Sequence, residues 1–316
     1  MKFIRILIVP LVGVVFLTSN IATSAAAQKS VSYKGLSLTP AIVNVNVDQA
    51  LQTTSVDIVV SNDQNHPVLL GVSSVDFKSL NQTGGVAFIG SGSKYGLADW
   101  LTLPKGPVTI SPHSSRTVSV GVDDRSDLSP GGHYAAILFK DLASSGQANN
   151  QVGFNQVLAS LVFLKKSGGE VFGLSLAKPA ISAGWLKMPS NLDLLITNTG
   201  NTQTAPRGIV SITDPLGRQI KRGIINPDSN LVLPGSARLY QTSLNNGVSP
   251  WLPGRYTLTV TYRPDDIGRA KTASYSFIYL SLPFLLIVLA PLVGIALTIR
   301  SYILRKRPKK IFVKIL

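Results

Sequence analysis

The stretch from Phe277 to Ile299 carries no charged side chain. It is about as long as the ~20 apolar residues an α-helix needs to cross ~30 Å of hydrocarbon. It therefore reads as a transmembrane helix over 277–299. Pro283 and Pro291 fall inside that range, and each removes a backbone donor, so a bent helix is expected. The tail at 300–316 carries Arg300, Arg305, Lys306, Arg307, Lys309, Lys310 and Lys314 and no acid, and such a basic flank stays on the cytoplasmic side. The other end agrees. Lys2 and Arg5 precede an apolar run from Ile6 to Leu17 and then the small residues Ala25-Ala26-Ala27, which is the pattern of a signal peptide over 1–27, cut between Ala27 and Gln28. An uncleaved anchor is the alternative reading, but the apolar middle is shorter than a span requires.

The expected topology places 28–276 outside the cell membrane and the C-terminus in the cytoplasm. The formal charge of +15 must be read against that topology. Seven of the positive charges sit in the tail and two in the leader, neither of which has an acid, which leaves +6 for the exterior. Such a modest excess gives no reason to expect a nucleic-acid partner; the tail instead suits anionic headgroups, making membrane lipid a partner through the span and the tail. There is no cysteine, so disulfide scaffolds, cysteine nucleophiles and thiolate metal sites are excluded, and a bacterial envelope protein fits better than an animal cell-surface one. The single sequon, Asn81-Gln82-Thr83, does not change this.

The exterior reads as short strands. Val43, Val45 and Val47 alternate with Asn44, Asn46 and Asp48; Val56, Ile58 and Val60 follow, and Val118, Val120 and Val122 alternate with Thr117, Ser119 and Gly121. Period-two alternation puts one face on a core and the other in water. The second half repeats the grammar. Leu192, Leu194 and Ile196 lead into Asn198-Thr199-Gly200-Asn201 much as Val56 to Val60 leads into Ser61-Asn62-Asp63. Leu233-Pro234-Gly235-Ser236 echoes Ile110-Ser111-Pro112-His113, and Pro253-Gly254-Arg255-Tyr256 echoes Pro130-Gly131-Gly132-His133-Tyr134. The Tyr after each Pro-Gly turn is expected to pack on the core while its hydroxyl bonds nearby backbone. The fold class is all-β: two tandem immunoglobulin-like β-sandwich domains, at 31–165 and 171–276, followed by one transmembrane helix. The linker is the Gly-rich Lys165-Lys166-Ser167-Gly168-Gly169-Glu170.

A signal peptide, a first module ending in Ser129-Pro130-Gly131-Gly132-His133-Tyr134, a second with Asn198-Thr199-Gly200-Asn201 and Leu233-Pro234-Gly235-Ser236, one span and a basic tail together resemble the WxL-interacting proteins of Gram-positive surfaces. More loosely, the chain is similar to bacterial immunoglobulin-like envelope proteins and the pilus-chaperone sandwich. The resemblance implies a first domain that binds peptidoglycan and a second that engages surface proteins.

Little in the residues points to catalysis. Ser91-Gly92-Ser93-Lys94 matches S-x-x-K and Lys166-Ser167-Gly168 resembles the third motif of penicillin-binding enzymes, but that chemistry needs the serine to open a helix, none is patterned here, and the S-D-N element is missing. The acids of Asp123-Asp124-Arg125-Ser126-Asp127 lack the spacing of a Ca²⁺ loop. His66, His113 and His133 are far apart. No cofactor is read, and the chain is not expected to be an enzyme. The candidate binding loop is Tyr95, Asp99 and Trp100, in an irregular stretch at 84–106; Trp185, Trp251 and the polar run from Ala143 to Gly153 are weaker candidates. The expected function is a membrane-anchored extracellular binding or scaffold protein of a bacterial envelope, with cell-wall polymer or a surface protein as partner. The alternative is a membrane-tethered, chaperone-like protein that assembles surface structures by β-strand addition, with Phe154 to Leu164 as the strand.

Overall fold

The computed structural model describes residues 29–33, 35–48, 53–123, 128–142, 157–181, 186–265 and 268–305. The leader with Ala27 and Gln28, the acids at 124–127, the polar run at 143–153, Trp185 and the tail residues Lys306, Arg307, Lys309 and Lys310 lie outside them.

The first module contains β1 (Val31–Tyr33), β2 (Leu36–Thr39), β3 (Ile42–Val47), β4 (Thr53–Asn62), β5 (Val68–Leu80), β6 (Gly85–Gly90), β7 (Leu101–Thr102), β8 (Val108–Ile110), β9 (Ser114–Asp123), β10 (Gly131–Asp141) and β11 (Val157–Lys166). One sheet runs β1-β2-β4-β9-β7 and the other β3-β11-β10-β5-β6, with β8 also on β5. The alternation works as read. Val56, Ile58, Val60, Val118, Val120 and Val122 point inwards to meet Ala135, Ile137, Phe139, Leu158, Val162 and Leu164 from the facing sheet. The stretch at 84–106 is less irregular than expected, since β6 pairs along β5 to form a long hairpin and a short 3-10 turn covers Ala98–Trp100.

The second module contains β12 (Leu174–Leu176), β13 (Asn191–Asn198), β14 (Arg207–Thr213), β15 (Gln219–Ile225), β16 (Ala237–Ser243), β17 (Asn245–Asn246), β18 (Gly254–Arg263) and β19 (Lys271–Tyr279). Its sheets are β12-β13-β16 and β17-β15-β14-β18-β19. Hydrogen bonds show the internal repeat more sharply than the sequence does. Asn62 and Asn198 are both fully buried at the end of equivalent strands. Each side-chain oxygen accepts the backbone N–H two residues on, from Gln64 and Gly200, and each amide donates to a carbonyl before the proline turn, on Ile110 and Val232. Past that turn, His113 and Gly235 both take the left-handed backbone, at φ 49 and 67, and Ser114 and Ser236 donate to the carbonyls of Ser111 and Leu233 at 2.8 and 2.7 Å.

The third echo is corrected by one residue. Tyr256 donates its hydroxyl to the Leu252 carbonyl, four residues back, at 2.6 Å. In the first module the side chain facing a carbonyl four residues back is His133, whose Nε2 lies 2.8 Å from Ser129 O. Counted from the Pro-Gly turn the two strands are in step, so His133 occupies the position of Tyr256, and Tyr134, one residue later, projects from the opposite face.

The C-terminal helix, α1, runs from Leu282 to Arg305 and is long and apolar enough to cross a membrane. It starts later than the apolar run suggests. Phe277, Ile278 and Tyr279 close β19, paired with Tyr256, Arg255 and Gly254, because composition alone cannot separate an apolar strand end from the start of a helix. Ser281 caps the helix, its Oγ accepting the Phe284 N–H and its carbonyl that of Leu285. Pro283 therefore sits in the first turn, where a missing N–H costs nothing, and only Pro291 lies inside.

Candidate functional site

The outer face of the sheet β3-β11-β10-β5-β6 is not left to solvent. Phe77 of β5, Tyr134 of β10 and Phe163 of β11 form a ring triad with centroids 5.4–5.8 Å apart, in the tilted and edge-on arrangements that aromatic quadrupoles favour. Leu231 and Leu233 of the second module pack onto this triad. Polar contacts tie the two modules at its rim. Gly132 N–H donates to Asn201 O at 2.8 Å, Asn201 Nδ2 donates to Gly169 O at 2.9 Å, and Leu239 N–H donates to Gln82 O at 2.9 Å. The approach is close: a Cβ on Gly131, at φ 120, would lie 2.7 Å from Asn201 O. Tyr134 donates its hydroxyl to Gln203 Oε1 at 2.8 Å. Burial pushes this phenol far above its ordinary pKa, which keeps it a donor.

The join leaves a cleft beside the triad. One cavity of about 370 Å³ lies between Asn44, Asn46, Phe163 and Lys165 of the first module and Gln203, Leu231 and Asp265 of the second. Another of about 360 Å³ continues it past Ile42, Phe77 and Leu161. Strand β11 borders both. Its inner side is paired with β10 along its whole length, whereas β3 covers only Leu161 to Lys166 on the other side. Among the described residues, Val157 to Ser160 have no strand paired along that edge, where the Ser160 hydroxyl donates to the Pro40 carbonyl at 2.7 Å. Leu161 N–H is given to Ala41 O on the β3 side, so by alternation the N–H groups of Ala159 and Val157 also point outwards. Leu161 and Phe163 face the cleft, Val157 and Ala159 share their parity, and Val157 is exposed. A larger cavity of about 740 Å³ lies between the β5–β6 hairpin tip and Arg238 to Gln241. There burial pushes Tyr240 up to about 12, with Arg238 pulling the other way.

The proposed binding loop divides between two environments. Trp100 turns inwards, half-buried on the first core with its ring 6.3 Å from that of His133. Tyr95 joins the cluster at the junction, and Asp99 is exposed. What fixes the loop is Asp76, missed in the sequence: fully buried on β5, it accepts N–H bonds from Leu97 and Ala98 on Oδ1 and from Ser93 on Oδ2, all at 2.9 Å. The Ser91–Lys94 tetrad is loop, with Lys94 Nζ 5.2 Å from the Tyr95 ring centre. His66 and His113 are exposed, His133 is buried with Nδ1 3.2 Å from Gly96 O, and the three share no site. Asp123 accepts the Thr102 hydroxyl. Arg300 and Arg305 lie on the last turns of α1.

No family model matches the sequence, and no curated protein matches it. Among solved structures, the chain is similar to a chaperone–tip adhesin complex of CFA/I fimbriae biogenesis at 10% identity and TM-score 0.44, over 78% of this chain and 99% of that one. It is also similar to the class 5 fimbriae chaperone CfaA at 11% identity and TM-score 0.41, over 76% and 97%. A third is the Salmonella enterica SafA pilin complex with the SafB chaperone, at 11% and 0.35, over 78% and 98%. The resemblance to WxL-interacting proteins is thereby corrected: no family model supports it, and the similar structures include fimbrial chaperones and no WxL-interacting protein among those compared above. The short turn motifs behind it, Pro-Gly and Asn-Thr-Gly, serve strand ends in sandwiches generally. The peptidoglycan-binding expectation rested on that resemblance.

Proposed function

We propose that this chain is a membrane-tethered, chaperone-like protein that assists assembly of surface structures by β-strand addition, with a surface protein as partner. The observation that carries the reading is the half-open edge of β11 beside the cleft. Exposed sheet edges invite pairing with another chain, and proteins normally blunt them with charge or proline. Val157-Leu158-Ala159-Ser160 has neither. An incoming strand would gain main-chain bonds there while its side chains met the apolar face formed by Leu161, Phe163 and Leu231. In this reading both immunoglobulin-like modules lie outside, α1 spans the cell membrane, the basic residues from Arg300 onwards hold the C-terminus in the cytoplasm, and the chain does no covalent chemistry.

The test is purification of the full chain from native cells. A partner released only by denaturant is expected. Ala159→Pro should abolish its capture, because proline removes an outward donor without touching the ladder to β10. Partner-free, monodisperse protein, or undiminished capture by the proline variant, would overturn the reading.

A further inference from the structure

Strand β19 ends at Tyr279 and α1 begins at Leu282, so only Leu280 and Ser281 connect them. Ser281 is fully buried and Tyr279 nearly so. The second module is thus fixed to the helix without a flexible tether. The helix has no spare length either. From Leu282 to Ile299, the last residue before Arg300, it measures about 27 Å at 1.5 Å per residue, against ~30 Å of hydrocarbon. Leu282 must then lie at the outer boundary of the hydrocarbon. Phe284 and Leu285 are half-buried, while every other side chain from Leu282 to Arg305 is exposed. The protein therefore shades the first helical turn, and its base reaches that depth.

Strand register identifies which residues form this base. Gly254 pairs with Tyr279 and Thr257 with Thr213, and a Cβ on Gly254 would sit 3.0 Å from Pro215. Gly247 N–H bonds Ile220 O. The turn at 214–218 and the loop at 247–253 consequently lie at the helix end of the module. Both carry large apolar side chains turned outwards: Leu216, Val248 and Trp251 are 69, 48 and 49% exposed, and Ile278 beside them on β19 is 60% exposed. Arg255, paired with Ile278, stands at the same level.

We infer that the base of the second module is a membrane-contacting surface, in which Trp251, Leu216 and Val248 enter the headgroup and upper acyl region of the outer leaflet. This rests on α1 being a span. An indole suits that layer because its ring is apolar and its N–H is polar, and immersing the neighbouring side chains removes apolar surface from water. The contact would hold the module, and the β11 edge above it, at a fixed height and tilt.

The experiment is to reconstitute the full chain into phosphatidylcholine vesicles brominated near the top of the acyl chains and follow tryptophan emission. Trp251→Phe, a change at an exposed position, should lose most of the quenching seen in the unsubstituted protein. Adding Leu216→Trp to that variant should restore it. If the protein resists alkaline extraction but neither indole is quenched, the membrane-contacting base is overturned while the span stands. Extraction by alkali would refute the span and this inference with it.

Discussion

Removing the Asp76 carboxylate should loosen the loop at 93–98 and, through it, the first module. The side chain is fully buried and takes three backbone N–H bonds at 2.9 Å, those of Leu97 and Ala98 in fully buried surroundings. Asp76→Ala leaves these donors without an acceptor. A buried unsatisfied donor costs roughly 1–3 kcal/mol, so the two deepest alone predict a loss of about 2–6 kcal/mol. That is a large share of the ~5–15 kcal/mol of a typical domain. Asp76→Asn should lose less, since its oxygen can still serve Leu97 and Ala98 while its amide opposes the Ser93 N–H. Because two modules need not unfold as one, the measurement is amide hydrogen exchange of residues 93–98 alongside urea unfolding of the detergent-solubilised chain. Unchanged protection of these amides in Asp76→Ala, with stability lowered by less than about 1 kcal/mol, would refute the assignment of Asp76 as the residue that holds this loop.

The two turn asparagines should be equivalent: Asn62→Ala and Asn198→Ala each remove a buried Asx turn and its carbonyl partners, and each should lower its own module's stability by about 2–4 kcal/mol in urea unfolding. Tyr134→Phe should cost about 1 kcal/mol and weaken the junction, read as greater angular spread between the modules in small-angle scattering, whereas Tyr256→Phe should destabilise the second module alone. For Asp214, burial by itself would raise the carboxyl, but the Arg218 N–H, the Arg218 guanidinium and the Leu216 N–H outweigh it and hold the folded pKa below the ordinary 3.8. Its contribution is therefore present above pH ~4 and lost as pH falls through the lowered value, so Asp214→Asn should flatten the acid limb of the stability curve there without creating a new alkaline limb. Protease added to intact wall-stripped cells should digest both modules and leave a protected fragment that starts near Leu282; cleavage of the tail with intact modules would reverse the topology.

Alternation carried most of the sandwich reading. Each of Val56-Ile58-Val60 and Val118-Val120-Val122 has one buried face because one side of its sheet meets the core and the other meets water. Two boundaries escaped because local composition was ambiguous there. The run from Phe277 to Ile299 is apolar throughout, yet its first residues pair with β18. Tyr134 and Tyr256 follow similar turns, but Tyr134 comes one residue later after its proline, which in a strand means the opposite face. Asp76 gave no signal, since a carboxylate within a strand normally reads as surface, and only its long-range N–H partners, Leu97 and Ala98 among them, explain its burial.

The junction, by contrast, did leave a trace in the sequence, in the places where alternation stops. Tyr134-Ala135-Ala136-Ile137-Leu138-Phe139 and Leu161-Val162-Phe163-Leu164 contain no polar residue. A strand with one wet face alternates, whereas an unbroken apolar strand must be covered on both faces. In β10 every residue from Gly131 to Ile137 is buried, one face by its own core and the other by the Phe77–Tyr134–Phe163 cluster under Leu231 and Leu233. The matching strand of the second module, β18, reads Tyr256-Thr257-Leu258-Thr259-Val260-Thr261-Tyr262, alternates strictly, and buries one face only. The modules repeat in fold but not in exposure. The first is the one whose sheet is covered by its neighbour, and within β11 only Val157 to Ser160 lack a paired strand on the side away from β10.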